Sequence, residues 1–171
     1  MKTQRTLFLI LMLIASFAHA QEIPKTNHQS PLEQIAFKAH LINPLSVNGN
    51  TDVAFDTVFF NNGNAYNKET GNFISPAAGL YYFHAQLIWY ASEKPHTVGF
   101  RIAKNSNSAD DVESWTEISQ SMQGAAFTAT SALMNLAVGD TVKVKANAAW
   151  GGNTTIGTYL GDSHFFGYKV Y

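Results

Sequence analysis

Residues 79–90 alternate in character. Tyr81, Phe83, Ala85, Leu87 and Trp89 are all apolar or aromatic, whereas the positions between them mix Tyr82, Ile88 and Tyr90 with His84 and Gln86. A period of two with one wholly apolar side predicts a β-strand lying on a sandwich core. The other side is greasier than a water-facing strand requires. Either a second surface covers Tyr82, Ile88 and Tyr90, or they are the scattered apolar exposure found on any protein.

The same period recurs along the chain. Residues 53–78 read as short strands cut by Asn61-Asn62-Gly63-Asn64, Glu69-Thr70-Gly71-Asn72 and Pro76-Ala77-Ala78-Gly79. Asparagine and glycine tolerate the positive φ of tight turns, and Pro76 has no amide to give a ladder. Residues 35–42 alternate weakly, with Phe37 and Ala39 on one side and His40 on the other, before a loop marked by Asn43-Pro44 and Asn48-Gly49-Asn50. Val98, Phe100 and Ile102 alternate with Gly99, Arg101 and Ala103. Residues 105–113 are polar and acidic and predict a loop. Residues 115–118 and 124–135 predict strands, the second with Phe127 and Leu133 on one face. Beyond a turn at Val138-Gly139-Asp140, Val142, Val144, Ala146 and Ala148 alternate with Thr141, Lys143, Lys145 and Asn147, which places both lysines in solvent. Gly151-Gly152-Asn153 turns again, residues 155–160 form a short strand, Gly161-Asp162 makes the last turn and residues 165–171 close the chain. About ten short strands with no amphipathic helix argue for a sandwich or a barrel.

The first twenty residues follow a different grammar. Lys2 and Arg5 precede an apolar run from Leu7 to Ala18, and Ala18-His19-Ala20 offers small residues where a signal peptidase reads. The run is shorter than the ~20 residues that cross a bilayer, so residues 1–20 are expected to be a secretory signal peptide and no membrane span is expected. Cleavage after Ala20 leaves about 150 residues, the size of one domain. Residues 21–33, rich in Pro, Asn, Gln and Ser, read as an exposed leader, and residues 34–171 as the globular domain. The chain has no cysteine, so stability must come from burial alone. Its 11 Lys and Arg nearly balance 12 Asp and Glu with no basic run, which argues against a nucleic-acid partner.

Phe55, Asn61, Tyr66, Phe73, Gly79, Tyr81 and Phe83 fall at the spacing of the signature of the complement C1q globular head domain, and the chain resembles that family from about residue 34 to residue 171. The stretches Leu136-Ala137-Val138-Gly139-Asp140-Thr141-Val142 and Ser163-His164-Phe165-Phe166-Gly167-Tyr168 resemble the family's late turn and closing strand. The signature usually continues with an aromatic two residues after Phe83, where this chain has Ala85, which implies local repacking. The resemblance implies an all-β, ten-stranded jelly-roll sandwich of the kind shared with tumour necrosis factor, and a homotrimer that covers Tyr82, Ile88 and Tyr90. Relatives commonly carry a Gly-X-Y collagen stalk where residues 21–33 stand here without one, so collagen-based bundling and protease recruitment are not expected.

Candidate chemistry is sparse. His28, His40, His84, His96 and His164 are each solitary in sequence, without the paired spacing of a metal-bearing jelly-roll enzyme, and no nucleophile elbow or phosphate-cradling glycine loop is present. No catalysis is expected and no cofactor is required. Some members of the resembled family hold calcium through loop carboxylates, which marks Glu93 and Asp162 as candidate calcium ligands; solvated loop charge is the alternative for both, as for Asp110, Asp111 and Glu113. Asn153-Thr154-Thr155 is an N-glycosylation sequon in a glycine-rich turn. Trp115 and Trp150 are the candidate residues for stacking on a sugar ring, with core or interface packing as the alternative. The resulting expectation is a secreted, lectin-like recognition module for extracellular glycans or proteins. An extracellular-matrix or biomineral structural protein, or a secreted signalling ligand, is the alternative.

Overall fold

The computed structural model describes residues 34–90, 96–105, 112–120, 125–148, 154–157 and 163–171. Residues 33–171 form one compact unit. Its strands, in chain order, are β1 (Ala36–His40), β2 (Leu45–Val47), β3 (Gly49–Val53), β4 (Thr57–Asn62), β5 (Tyr66–Asn67), β6 (Asn72–Ile74), β7 (Gly79–Tyr90), β8 (His96–Lys104), β9 (Val112–Gln120), β10 (Ala125–Leu136), β11 (Thr141–Ala148), β12 (Thr154–Ile156) and β13 (His164–Lys169). The architecture is all-β, as the alternation predicts, and divides into two antiparallel sheets. One sheet runs β2-β12-β7-β13-β1-β4 with β10 also on β7; the other runs β5-β6-β11-β8-β9 with β3 also on β11.

β7 is the hub of the first sheet because it is long enough to be shared. β10 pairs with it from Gly79 to Tyr90, while its opposite edge takes β13 over Tyr81 to Gln86 and β12 at Trp89 and Tyr90. β11 does the same in the second sheet, with β8 on one edge and β3 and β6 on the other. Two details differ from the sequence reading. Asn48-Gly49-Asn50 is a corner between β2 and β3, turned by Gly49 at φ 66°, and the strand expected at residues 115–118 extends over Val112–Gln120 as the nine-residue β9.

The inward positions of both sheets meet in a core of aromatic rings, with Tyr81, Phe83, Ala85, Leu87 and Trp89 of β7 all fully buried. Phe37 lies parallel to Tyr66 at 4.8 Å between centroids and edge-on to Phe165 at 4.9 Å, geometries that aromatic quadrupoles favour. The polar tips of two β7 rings have partners: the Trp89 indole N–H donates to Thr128 Oγ1 at 2.7 Å, and the Tyr81 hydroxyl to Ala77 O. Ala85 lies opposite Phe165 of β13, which also approaches Phe55 and Phe83, so the closing strand supplies the ring that β7 lacks there.

The seven residues behind the resemblance hold this core together. Asn61 clamps the chain end of the turn, its side chain donating to Tyr66 O at 2.8 Å and accepting from Tyr66 N–H at 3.0 Å. The Tyr66 hydroxyl then accepts from Phe55 N–H at 3.0 Å and donates to Phe55 O at 3.3 Å, and burial pushes its ionisation far above the ordinary range. Gly79 has φ 153°, and a Cβ there would run into the Tyr171 carbonyl, so only glycine fits. In the late turn, hydrogen bonds from the Asn105 amide and Ala137 N–H hold the Asp140 carboxyl below its ordinary value.

Candidate recognition and assembly surfaces

Strand pairing puts residues from distant parts of the chain into rows on the outer face of the first sheet. One row runs Thr57, His40, His164, Gln86, Ala129; the next Phe60, Lys38, Phe166, His84, Ser131; the next Asn62, Ala36, Tyr168, Tyr82, Leu133. The face is aromatic and partly wet. Tyr82 is half-buried between Phe166 and Tyr168, at 6.3 and 5.5 Å between centroids. Leu133, Phe127 and Phe59 remain 62%, 55% and 65% exposed.

Of the residues expected on this face, Tyr82 and Tyr90 are accessible, with Tyr90 lying over Gly157. Ile88 is not. It is on the side that its parity assigns, yet it is 2% exposed in the single subunit, so its side chain is already covered without a partner. Its backbone is also fixed, its N–H donating to Ser163 Oγ at 3.0 Å and its carbonyl accepting from Gly157 N–H at 2.7 Å. The histidines scattered in the sequence are not scattered in space: His40, His84 and His164 share this face, and register across strands, which single-strand periodicity does not carry, is what brings them together.

The outer face of the second sheet is polar. Asp52, Lys145, Arg101 and Trp115 lie side by side across β3, β11, β8 and β9, and Asn50 and Asn147 join in the next row by a 2.9 Å hydrogen bond. The lysines face outward as expected but are not freely solvated: Lys143 and Lys145 grip Asp52 at 2.7 and 3.1 Å, leaving their side chains 16% and 11% exposed. Partial burial alone would push the Asp52 carboxyl up; hydrogen bonds and charge from the two lysines outweigh it and hold it below its ordinary value. Trp115 is an exposed strand residue, its indole N–H donating to Glu117 Oε2 at 3.1 Å. Beside it, Arg101 Nε is buried without a hydrogen-bond partner.

Trp150, Glu93, Asp162 and Asn153 lie outside the described residues, as do Asp110 and Asp111; Glu113 lies in β9. Among the described residues no group of three or more His, Cys, Asp or Glu is arranged to hold a metal ion, and no helix is long and apolar enough to cross a membrane.

Comparison with known proteins agrees with this architecture. The globular domain of zebrafish complement 1qA protein superposes with a TM-score of 0.62 at 18% identity, covering 80% of this chain and 97% of that one. Eiger TNF from S. frugiperda gives 0.61 at 14% identity, covering 81% and 94%, and murine APRIL 0.58 at 13%, covering 80% and 99%. Over 54 residues the chain is 39% identical to a protein called heavy metal-binding protein HIP from Mytilus edulis; the match spans 31% of this chain and a quarter, 25%, of that protein. Domains of the C1q and tumour necrosis factor type are generally non-enzymatic binding modules that commonly form trimers, and C1q-domain proteins are typically secreted. The C1q domain model matches residues 36–170, nearly the whole described fold, and the chain belongs to the C1q domain family.

Proposed function

We propose that this protein is a secreted, non-catalytic recognition module that assembles as a homotrimer through the outer face of its first sheet and binds extracellular glycans or proteins with the surfaces left open. The observation that carries the reading is the apolar outer face: Phe59, Phe127 and Leu133 are each more than half exposed in one subunit. Apolar exposure spread over one sheet face marks an interaction site, and copies of one chain can bury it in a closed cyclic assembly. Three copies would multiply weak single-site contacts into avidity.

The polar face supplies the recognition candidate. Trp115 presents an indole whose orientation Glu117 fixes, in register with Arg101 on the neighbouring strand. A flat ring beside polar donors suits a sugar, whose apolar face stacks while its hydroxyls accept. Trp150 belongs to the same proposal, as do Glu93 and Asp162 as calcium ligands, Asn153 as a glycan acceptor and residues 1–20 as the cleaved signal. Sedimentation velocity on the secreted protein tests the assembly, with a trimer at micromolar concentration as the expected result and a stable single subunit as the result that defeats it. A glycan array run on wild type and Trp115→Ala tests recognition; unchanged binding by the still-trimeric variant removes Trp115 from the site. The matrix or signalling alternative predicts no signal on such an array, and the likeness to two tumour necrosis factor type proteins is what keeps the signalling form in view.

A further inference from the structure

The chain holds two Asn-Gly pairs, Asn48-Gly49 and Asn62-Gly63, and the fold treats them differently. The dipeptide carries its own chemistry. The glycine nitrogen is placed by the chain to attack the asparagine side-chain carbonyl carbon and close a five-membered ring, and without a Cβ on the glycine nothing shields that nitrogen. Ring closure then depends on how freely the local backbone turns.

Around Asn62 the backbone is held. Asn62 ends β4 opposite Ala36 of β1, Asn64 N–H closes the turn on Asn61 O at 3.1 Å, and the Asn61 side chain is locked on both backbone groups of Tyr66. A Cβ on Gly63 would stand 3.3 Å from Ile35 Cγ1, so the turn also has a wall behind it. Around Asn48 the backbone is open. Asn48 is exposed and lies between β2 and β3, outside both strands, and a Cβ on Gly49 would meet nothing within 4 Å.

We propose that Asn48 is a site of spontaneous deamidation, and that the isoaspartyl linkage it forms loosens the corner joining the two sheets. The Gly49 nitrogen bonds to Asn48 Cγ and gives up its proton, the bond from Cγ to Nδ2 breaks, and ammonia leaves a cyclic imide. Water then opens the ring at either carbonyl. Breaking the bond to Cγ restores the ordinary peptide with an aspartate side chain; breaking the bond to the main-chain carbon leaves Gly49 attached through Cγ, with a free α-carboxylate. The net exchange is water for ammonia, with no oxidant or reductant. In the second product the main chain is longer by the Asn48 Cβ. That extra atom falls between Val47, fully buried and paired with Thr154 in the first sheet, and Gly49, paired with Ala148 in the second. Asn50, whose side chain accepts from Asn147 at 2.9 Å, follows directly.

The test is incubation of the secreted protein, folded and in denaturant, in mildly alkaline buffer, with peptide mapping by mass spectrometry, an isoaspartate assay and thermal melting. In the folded protein Asn48 should convert at least about tenfold faster than Asn62, whereas in denaturant the two should convert alike. Aged folded protein should melt lower by about 2–4 °C. Asn48→Gln, which would need a larger ring, should keep its mass and its midpoint, and Asn48→Asp should melt like fresh protein, since it adds the charge without lengthening the chain. An Asn48 that stays intact in the folded protein while the denatured chain converts overturns the site. Equal conversion of Asn48 and Asn62 in the folded protein overturns the selection by the fold. Conversion with an unchanged midpoint, or an equal drop in Asn48→Asp, overturns the loosening of the corner.

Discussion

The two outer faces of this sandwich cover one core and have opposite chemistry. On the first sheet the outward positions are rings, aliphatics and imidazoles, with Leu133 and Phe127 largely in water. On the second, Lys143 and Lys145 share the Asp52 carboxylate and Asn50 bonds Asn147. A large dry contact on this face would strip water from its ion pairs without giving them better partners. The apolar face has only its apolar area to gain. On the proposed reading, this difference makes the first sheet the assembling face and leaves the second, with Trp115, for the ligand.

The largest effect should come from placing a charge on each face in turn. Leu133→Asp puts an unpaired carboxylate where a second copy is expected to dry the surface, and association should weaken by about a hundredfold or more. Because Leu133 is exposed in the subunit, melting of the separated chain should hardly change. The matched substitution on the other face, Asn147→Asp, should leave the sedimentation profile unaltered. If both variants dissociate, or neither does, the faces are not distinguished as argued.

A middle-sized effect separates folding from assembly. Tyr66→Phe removes the hydroxyl that both accepts from and donates to the buried Phe55 peptide, at a cost of about 1–3 kcal/mol to the subunit. Thermal or denaturant unfolding should show the loss while the stoichiometry at room temperature is retained. A drop in stoichiometry without a drop in subunit stability would mean that the core and the assembly face are not independent.

Much of this was legible in the sequence because alternation is a local property. Strand β7, its buried side and the alternation of β11 follow from residue type alone, and the signature residues are those whose side chains close the core: Asn61 on Tyr66, Tyr66 on Phe55, Gly79 against Tyr171. What alternation cannot supply is which strands are neighbours. His40, His84 and His164 read as solitary because register aligns them, and the outward lysines read as solvated because Asp52 arrives from β3. Ile88 shows the complementary limit: parity gives the side of the sheet, and not what else of the same subunit lies over that side. The strand expected at residues 115–118 runs longer, as β9 from Val112 to Gln120, because pairing with β8 carries it into residues whose polar character reads as loop.

The smallest effect probes the polar face alone. Asp52→Asn removes the carboxylate shared by Lys143 and Lys145, and because Asp52 is 45% exposed the pairs are screened, so the expected loss at neutral pH is at most about 1 kcal/mol. Its pH dependence is more informative than its size. The folded Asp52 carboxyl is held below its unfolded value, so the unfolded chain binds the proton more readily, and the stabilisation is present above the unfolded value and fades as pH falls through the folded one. The gap between wild type and Asp52→Asn in urea unfolding should therefore close in acid below the ordinary carboxylate range, and should also shrink with added salt at neutral pH. A gap for Asp52→Asn that closed near pH 6 instead would mean that the Asp52 carboxylate is not the group that titrates.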